Sequence, residues 1–298
     1  MRFQGDQRAA AQQVGFILVF AFFVILYSIW QAKVVPIKTE AIELRHHEDT
    51  VIQLKELRNG ITEIAGENGG LGYTDAQALQ LGTQYTPSIL FIYPPPPAGS
   101  FRTTDPTTGA DIILAGKLKE NVSTACVAND SHYLQYRSNY NEFDAPKFRY
   151  ENTVLYRYTE SDAENGVIED PIDPTSQSLV TFTNETYHVE LIRVVGSIAK
   201  TSTQPTVITS RTTFHNSSTT SLDTESKVHI NISSELSARV WNDTGSGDTG
   251  LLPNVSDNES IAKPPITVRR DSEFINITLR EHDVTVQCST VEITTGVE

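Results

Sequence analysis

The sequence predicts an α+β protein with a long N-terminal helix, first hydrophobic and then amphipathic, followed by a mostly antiparallel β-sandwich head. Three observations predict this fold. An uncharged apolar run lies near the start, from Val14 to Trp30. Apolar residues then recur up to Ile64 at the three- and four-residue spacing of one helix face. From Leu71 onward the apolar period falls to two, in short Thr-rich segments separated by turn signals.

The apolar run is long enough to cross a membrane. As a helix its uncharged part covers roughly 25 Å, and with the residues up to Val35 about 33 Å. Tyr27 and Trp30 lie at its far end, where aromatic side chains favour the membrane interface. The absence of a small-residue cleavage site after the run disfavours a removed secretory signal peptide. The residues that we expect to form a membrane and assembly helix are Val14, Phe16, Leu18, Phe20, Phe22, Ile25 and Trp30.

A short leader precedes the apolar run. In it, Arg8 is followed by small residues, and this arrangement resembles the prepilin type of signal. In that type the peptidase cuts ahead of the hydrophobic stretch, which stays in the mature protein. The resemblance implies cleavage between Ala9 and Ala10, with residues 1–9 as leader and residues 10–36 as transmembrane or filament-core helix. The alternative is a single-pass anchor whose leader is not cleaved.

An amphipathic stalk helix is predicted over residues 37–66. We expect Pro36 to kink the helix and not to end it, because the apolar pattern resumes at once. Gly66 and the glycines after it end the pattern. An apolar half, a proline and an amphipathic half resemble the long first helix of type IV pilins; a coiled-coil-like stalk is the alternative. Since adjacent side chains point about 100° apart, His46 and His47 are interpreted as part of a solvated face and not as metal ligands.

Residues 67–298 are predicted to form the β-rich head. Ser88 to Tyr93 is an apolar run typical of a buried strand, and Lys147 to Tyr158 continues the strand pattern as one long run. The prolines from Pro94 to Pro97 are interpreted as an extended turn at a strand end, with a ligand for proline-binding domains as the alternative. In the preferred interpretation, the two strand-like runs and the prolines are all parts of the fold of the head.

The chain of 298 residues has a net charge of −14. This balance argues against nucleic acid or anionic lipid as a partner, because both need a basic face, and it suits a protein from a high-salt habitat. Acidic residues concentrate between Glu160 and Pro174, and a lobe boundary is predicted near residues 160–177. We interpret this stretch as a solvated loop. Calcium binding is the alternative, although the spacing is not that of an EF-hand.

Acceptor motifs for N-glycosylation, Asn-x-Ser/Thr, are frequent, and every one follows the apolar run, which places the head outside the cell. The alternative is a set of unused motifs that arises from a Thr-rich composition. Two cysteines occur without metal-binding spacing, and they can form one disulfide or remain two buried thiols. The glycosylation candidates are Asn121, Asn129, Asn184, Asn216, Asn231, Asn242, Asn254, Asn258 and Asn276, and the cysteines are Cys126 and Cys288.

Three strings of the N-terminal half carry a family resemblance: TEAIELRHHED, LGTQYTPSILFIYPPPPAGSFRTTD and YENTVLYRYTE. They resemble a family of uncharacterised haloarchaeal surface proteins with prepilin-like starts, and the proline string is the most specific element. The resemblance weakens from Thr201 onward. It implies an archaeal cell-surface protein and an architecture, and it implies no activity.

No nucleophile motif, zinc-protease motif or glycine-rich phosphate loop occurs, so we expect no enzymatic activity, no cofactor and no metal site.

The sequence predicts a pilin-like subunit, in a minor or tip role, of an archaeal type IV pilus-like filament. Its helix would bind copies of itself or other pilin-like subunits, and its glycosylated head would adhere to surfaces. The alternative is a non-polymerising, single-pass, membrane-anchored surface glycoprotein, and a third interpretation is an ectoenzyme.

Overall fold

The structure is a computed structural model. The residues that it describes are 3–66, 70–86, 92–104, 108–115, 127–160, 167–172, 180–183, 186–220, 227–233, 267–271, 274–280 and 282–296. Within these ranges the chain forms one helix, α1 (Phe3–Ala65), and sixteen strands. The strands are β1 (Thr74–Gln80), β2 (Gly99–Thr103), β3 (Thr108–Ala115), β4 (Val127–Ser131), β5 (Leu134–Ser138), β6 (Lys147–Glu151), β7 (Val154–Glu160), β8 (Val167–Pro171), β9 (Val180–Thr183), β10 (Thr186–Val195), β11 (Ala199–Ser202), β12 (Pro205–Thr220), β13 (Lys227–Ser233), β14 (Thr267–Asp271), β15 (Phe274–Arg280) and β16 (Asp283–Thr295).

The described strands form three sheets. The first has the order β1-β12-β16-β10-β9, the second β11-β2-β5-β6-β7-β8, and the third β14-β15-β13-β3-β4. The first sheet is mixed, because β10 and β16 run parallel, whereas the strand pairs of the other two sheets are antiparallel. The predicted long apolar helix and mostly β head are confirmed. The face-to-face sandwich packing stays a prediction.

The C-terminal half of α1 provides the centre of the main core. Its buried apolar side chains pack with residues from both the first and the second sheet, so the helix joins these two sheets. The burial of each such side chain contributes about 1.5–3 kcal/mol. The principal members of this core are Leu54, Leu57, Ile61 and Ile64 of α1, Leu79, Ile192, Val194, Ile208, Val291 and Ile293 of the first sheet, and Phe101, Leu134, Tyr136, Phe148, Tyr150 and Leu155 of the second.

The apolar residues of α1 do not all share one face, so the predicted single stripe is wrong in its first half. Ile37 is 67 % exposed and Leu44 is 43 % exposed, whereas Thr39 and Glu43 are fully buried. At this level the helix lies against polar loops of the head, which need hydrogen-bonding partners rather than apolar ones. The head therefore covers the polar side of the helix here and leaves the apolar side outward.

The helix is continuous through Pro36 and ends at Ala65. The carbonyls of its last turn lack partners within the helix, and strand side chains supply them. The Thr212 hydroxyl donates to the Ile64 carbonyl at 2.7 Å, and Gln287 Nε2 and the Ser289 hydroxyl donate to the Ala65 carbonyl at 2.8 and 2.7 Å. The first sheet thus caps the helix as well as packing against it.

The run from Lys147 to Tyr158 forms a hairpin and not the one long strand that the sequence predicts. Strands β6 and β7 are joined by Asn152 and Thr153, whose φ values are +44° and +73°. Two consecutive residues with positive φ are typical of the tight turn that matches the twist of paired strands. The alternation of residue types continues through this turn, and Thr153 is an uncommon residue there, so the pattern conceals it.

Two other predictions on the head are only partly covered by the described residues. Of the predicted strand from Ser88 to Tyr93, residues 92 and 93 are not in a strand and the rest lie outside the described ranges. The predicted acidic loop between Glu160 and Pro174 is wrong over Val167–Pro171, which forms strand β8 paired with β7; most other residues of this loop and of the predicted lobe boundary near 160–177 lie outside the described ranges.

Gly99 begins β2 where the chain after β1 crosses it. A Cβ atom at this position would lie 1.8 Å from the Leu81 carbonyl oxygen. The same carbonyl accepts a hydrogen bond of 2.8 Å from the Tyr136 hydroxyl, which fixes its place. Only glycine permits this approach of two backbone segments.

We expect Gly99→Ala to lower the free energy of unfolding by about 3 kcal/mol, because the methyl group forces two packed segments apart. Chemical denaturation measures this loss. The matched control is Gly296→Ala, whose Cβ would lie 3.6 Å from the Val207 side chain, an ordinary contact. The control should change the free energy of unfolding by less than about 0.5 kcal/mol. Equal effects of the two substitutions would contradict the close approach of Gly99 to the Leu81 carbonyl.

Candidate functional site

The N-terminal half of α1 is a long, uncovered apolar surface. From Val14 to Trp30 its large hydrophobic side chains are between 41 % and 73 % exposed. By length and composition, this is the one helix in the described part of the chain that is able to cross a membrane. All seven predicted membrane and assembly residues belong to this exposed set: Val14, Phe16, Leu18, Phe20, Phe22, Ile25 and Trp30.

This apolar surface is too large for a protein that is free in water. With roughly 150–250 Å² for each aromatic side chain, the exposed run presents on the order of 1,000 Å², whereas the largest patch on a soluble monomer is about 300–600 Å². The run has two hydroxyls, and that of Ser28 donates to the Val24 carbonyl at 2.8 Å. The Ser28 hydroxyl therefore does not oppose transfer into lipid or against another helix, and the other hydroxyl, that of Tyr27, lies near the end of the run, where aromatic side chains favour the membrane interface.

Immediately after the apolar run, α1 contacts the head at Gln31. The Gln31 Nε2 donates to the Ile92 carbonyl at 2.6 Å. Ile92 leads into the proline segment, which lies against the loop that follows β5. There Asn141 Nδ2 donates to the Pro95 carbonyl at 3.0 Å, and Asn139 Nδ2 donates to the Ala98 carbonyl at 3.1 Å. These contacts favour the structural interpretation of the prolines over that of an exposed ligand.

A buried carboxylate fastens this part of the head to α1. Glu43 has no exposed surface. Its Oε1 accepts from the Tyr85 hydroxyl at 2.6 Å and from the Asn141 amide at 2.8 Å, and its Oε2 accepts from the Glu142 and Phe143 amides, both at 2.9 Å. Burial, together with the hydrogen bond to Glu43, raises the pKa of the Tyr85 hydroxyl. Sequence reasoning missed this role because nothing local distinguishes Glu43 from the solvated acids around it.

His46 and His47 are also buried at this junction, which corrects the predicted solvated face. His46 Nδ1 lies 2.5 Å from the Tyr140 hydroxyl. The His47 ring stacks on Phe148 with centroids 5.2 Å apart and meets Phe143 edge-on at 5.3 Å. Both histidines face the head because the helix turns its polar side inward here. Burial lowers the pKa of each imidazole, and the charge of Arg157 lowers that of His47 further.

Glu190 is the strongest candidate for acid–base chemistry, since burial raises its pKa to about 7. It lies on the core side of β10. Burial raises the pKa of the Tyr150 hydroxyl, the charge of Glu190 raises it further, and that of Arg58 lowers it. The cavity beside Tyr150 and Arg58 has a volume of about 10 Å³. That is room for about one water molecule and not for a substrate. Glu190 is not among the residues that line this cavity, and it shares its face of β10 with the core residues Ile192 and Val194.

The other predicted site residues are only partly described. Ala9 and Ala10 lie within α1. Cys288 is disulfide-bonded, and the chain's other cysteine, Cys126, lies outside the described residues. Within the described ranges, no group of three His, Cys, Asp or Glu side chains is placed to hold a metal ion.

The glycosylation candidates fall into three groups. Asn216 is exposed on β12. Asn129, Asn231 and Asn276 lie on strands, and Asn231 and Asn276 pair directly in the register of β13 with β15. The remaining candidates lie outside the described residues; they are Asn121, Asn184, Asn242, Asn254 and Asn258.

Comparison of the chain with protein-family models, with curated proteins and with solved structures finds no match.

We expect Glu43→Gln to lower the free energy of unfolding by about 3 kcal/mol, because an amide group would direct its own donors at backbone amides that need an acceptor. Denaturant titration measures the loss. The matched control is Glu48→Gln, an exposed acid one turn further along α1, which should change stability by less than about 0.5 kcal/mol. A small effect of Glu43→Gln would show that the head does not depend on this carboxylate.

The junction should also weaken in mild acid. With lowered pKa values in the folded state, His46 and His47 stay neutral where the unfolded chain binds protons. Their contribution is present above the ordinary pKa of about 6.5 and is lost as the pH falls below it. His47→Phe, which keeps a ring against Phe148, should lose less stability than the wild type between pH 8 and pH 5. Unfolding curves at both values measure this, and equal losses would contradict it.

Proposed function

We propose that this protein is a pilin-like subunit, in a minor or tip role, of an archaeal type IV pilus-like surface filament. The apolar half of α1 rests in the membrane before assembly and packs against the helices of neighbouring subunits afterwards. The head remains outside the cell, carries N-linked glycans and makes surface contacts. The alternative is a membrane-anchored surface glycoprotein that does not polymerise.

The observation that carries the proposal is an outward apolar stripe that continues beyond the membrane-length run. Trp30, Ile37 and Leu44 recur at seven-residue intervals, and Ala41 and Ile52 lie on the same side of α1. All five are exposed, the exposed Glu48 lies between Leu44 and Ile52 on the same side, and the head covers the other side. An anchor alone needs no apolar residues past the bilayer. A helix that packs lengthwise against other helices buries such a stripe along its whole length.

Burial of the exposed run stabilises both the membrane-inserted subunit and the assembled filament relative to the subunit in water. About 1,000 Å² of apolar surface corresponds to roughly 25 kcal/mol when it leaves water. In lipid this stabilisation is already present, so the transfer from membrane to filament depends on packing between helices. The buried junction at Glu43 keeps the head on the opposite side, where it does not block that packing.

We expect the mature chain to begin at Ala10 and to form filaments that electron microscopy detects. The double substitution Ile37→Lys with Leu44→Lys should abolish filaments and leave membrane insertion intact, because it places two charges on the stripe and none in the apolar run. Carbonate extraction of membranes measures the insertion.

The matched control is Asp49→Lys, an exposed position roughly 120–140° around the helix axis from the two substituted positions, Ile37 and Leu44. It should retain filaments. Mass spectrometry of native material gives the N-terminus. An intact Met1 together with the absence of filaments would leave the anchored glycoprotein, and a start beyond Pro36 would exclude both functions.

A further inference from the structure

The second sheet carries a polar cleft on the side away from α1. Its volume is about 670 Å³, within the range of roughly 300–1,000 Å³ of small-molecule sites. Strands β2, β5, β6, β7 and β11 line it. Its charged and polar lining residues include Arg102, Gln135, Arg137, Lys147, Arg149 and Tyr158.

The strand register brings these residues onto one face. Arg102 pairs with Gln135, and Gln135 pairs in turn with Arg149 on the next strand. Lys147 pairs with Tyr158 on β7. Since successive side chains of a strand alternate between faces, the residues between them point into the core that contains α1. Those intervening core residues are Phe101, Tyr136 and Phe148.

Positive charge accumulates in this cleft although the whole chain has a net charge of −14. Three arginines and Lys147 lie on this face, and among the described lining residues none is Asp or Glu; Lys200, which also borders the cleft, pairs with Phe101 on the other face of the sheet. Like charges on neighbouring strands repel one another and reduce the stability of a sheet. A cleft that concentrates cations against this cost is suited to an anionic ligand.

Neighbouring groups hold the cations in place. Arg102 donates from Nε and from an Nη atom to Gln135 Oε1, at 2.9 and 2.6 Å, and the Gln135 amide donates to the Tyr158 hydroxyl. The Arg149 guanidinium lies 4.3 Å from the centroid of the Tyr158 ring, and Lys147 Nζ lies 5.5 Å from the same ring. The charges are therefore positioned before any ligand arrives, which reduces the entropy lost on binding.

We propose that this cleft binds a small ligand that carries at least two oxyanion groups, such as carboxylates or phosphates. Arg102 on β2 and Arg149 on β6 are separated by one strand, so their backbones lie about 10 Å apart. One carboxylate fills the paired donors of one guanidinium, so several guanidinium groups suit a ligand with more than one oxyanion. The planar guanidinium matches carboxylate and phosphate oxygens in pairs, and the cleft contains three such groups. The proposal holds for an anchored monomer and for a filament subunit alike.

Calorimetric titration of the full chain in detergent micelles tests this inference. The probes are citrate and pyrophosphate, with acetate as the single-oxyanion control. We expect saturable binding of citrate or pyrophosphate at 0.1 M KCl, weaker binding at 1 M KCl as the charges are screened, and no saturation with acetate. Binding of citrate alone identifies a carboxylate site, and binding of pyrophosphate alone a phosphate site.

Arg137→Gln should weaken binding by about tenfold or more, the loss of one charge-assisted contact. Arg137 is exposed, so the variant should fold, and its thermal unfolding verifies this. The matched control is Arg211→Gln, which removes one exposed arginine from β12 and should bind as the wild type does. Absence of saturable binding by both probes, or equal losses in the two variants, would overturn the proposal.

Discussion

The Glu43 carboxylate joins the head to α1 close to the place where the uncovered and covered halves of the helix meet. A buried carboxylate is tolerated only when donors surround it, since desolvation costs several kcal/mol. Three of its donors are the consecutive backbone amides of Asn141, Glu142 and Phe143. The backbone conformation of this one loop therefore supplies three hydrogen bonds to the carboxylate. The same loop holds the proline segment, and the proline segment carries the Ile92 carbonyl to Gln31. Glu43 thus connects α1, through this loop, to the proline segment that meets the helix at Gln31, beside the contacts of His46 and His47.

Residue patterns within short windows of the sequence predicted the features that depend only on neighbouring residues. The uncharged run from Val14 to Trp30 and the change of period near Leu71 need only neighbouring residues, and both correspond to structure. The burial of Glu43, His46 and His47 depends on partners between 42 and about 100 residues away, which no window of the sequence contains. Periodicity on the helix therefore indicated an apolar inner face where the inner face is polar.

The second sheet illustrates the same limit. The basic residues of its cleft are ordinary alternating positions on separate strands, and only the strand order places Arg102, Arg137 and Arg149 together. The net charge likewise describes the whole chain, so it does not reveal the basic face of the second sheet. At 1 M salt the Debye length is about 3 Å, so an approaching ligand senses the nearest side chains and not the overall charge. An acidic protein can then present a basic site.

The position of β16 determines when this head can fold. Of the described strands it is the last in sequence, yet it lies in the middle of the first sheet, between β12 and β10. Its residues Gln287 and Ser289 cap a helix end that precedes them by more than 220 residues. Contacts of such separation form late, since the chain between them must first be ordered. In the growing chain the apolar run is therefore complete long before the rest of α1 can acquire its covering from β16.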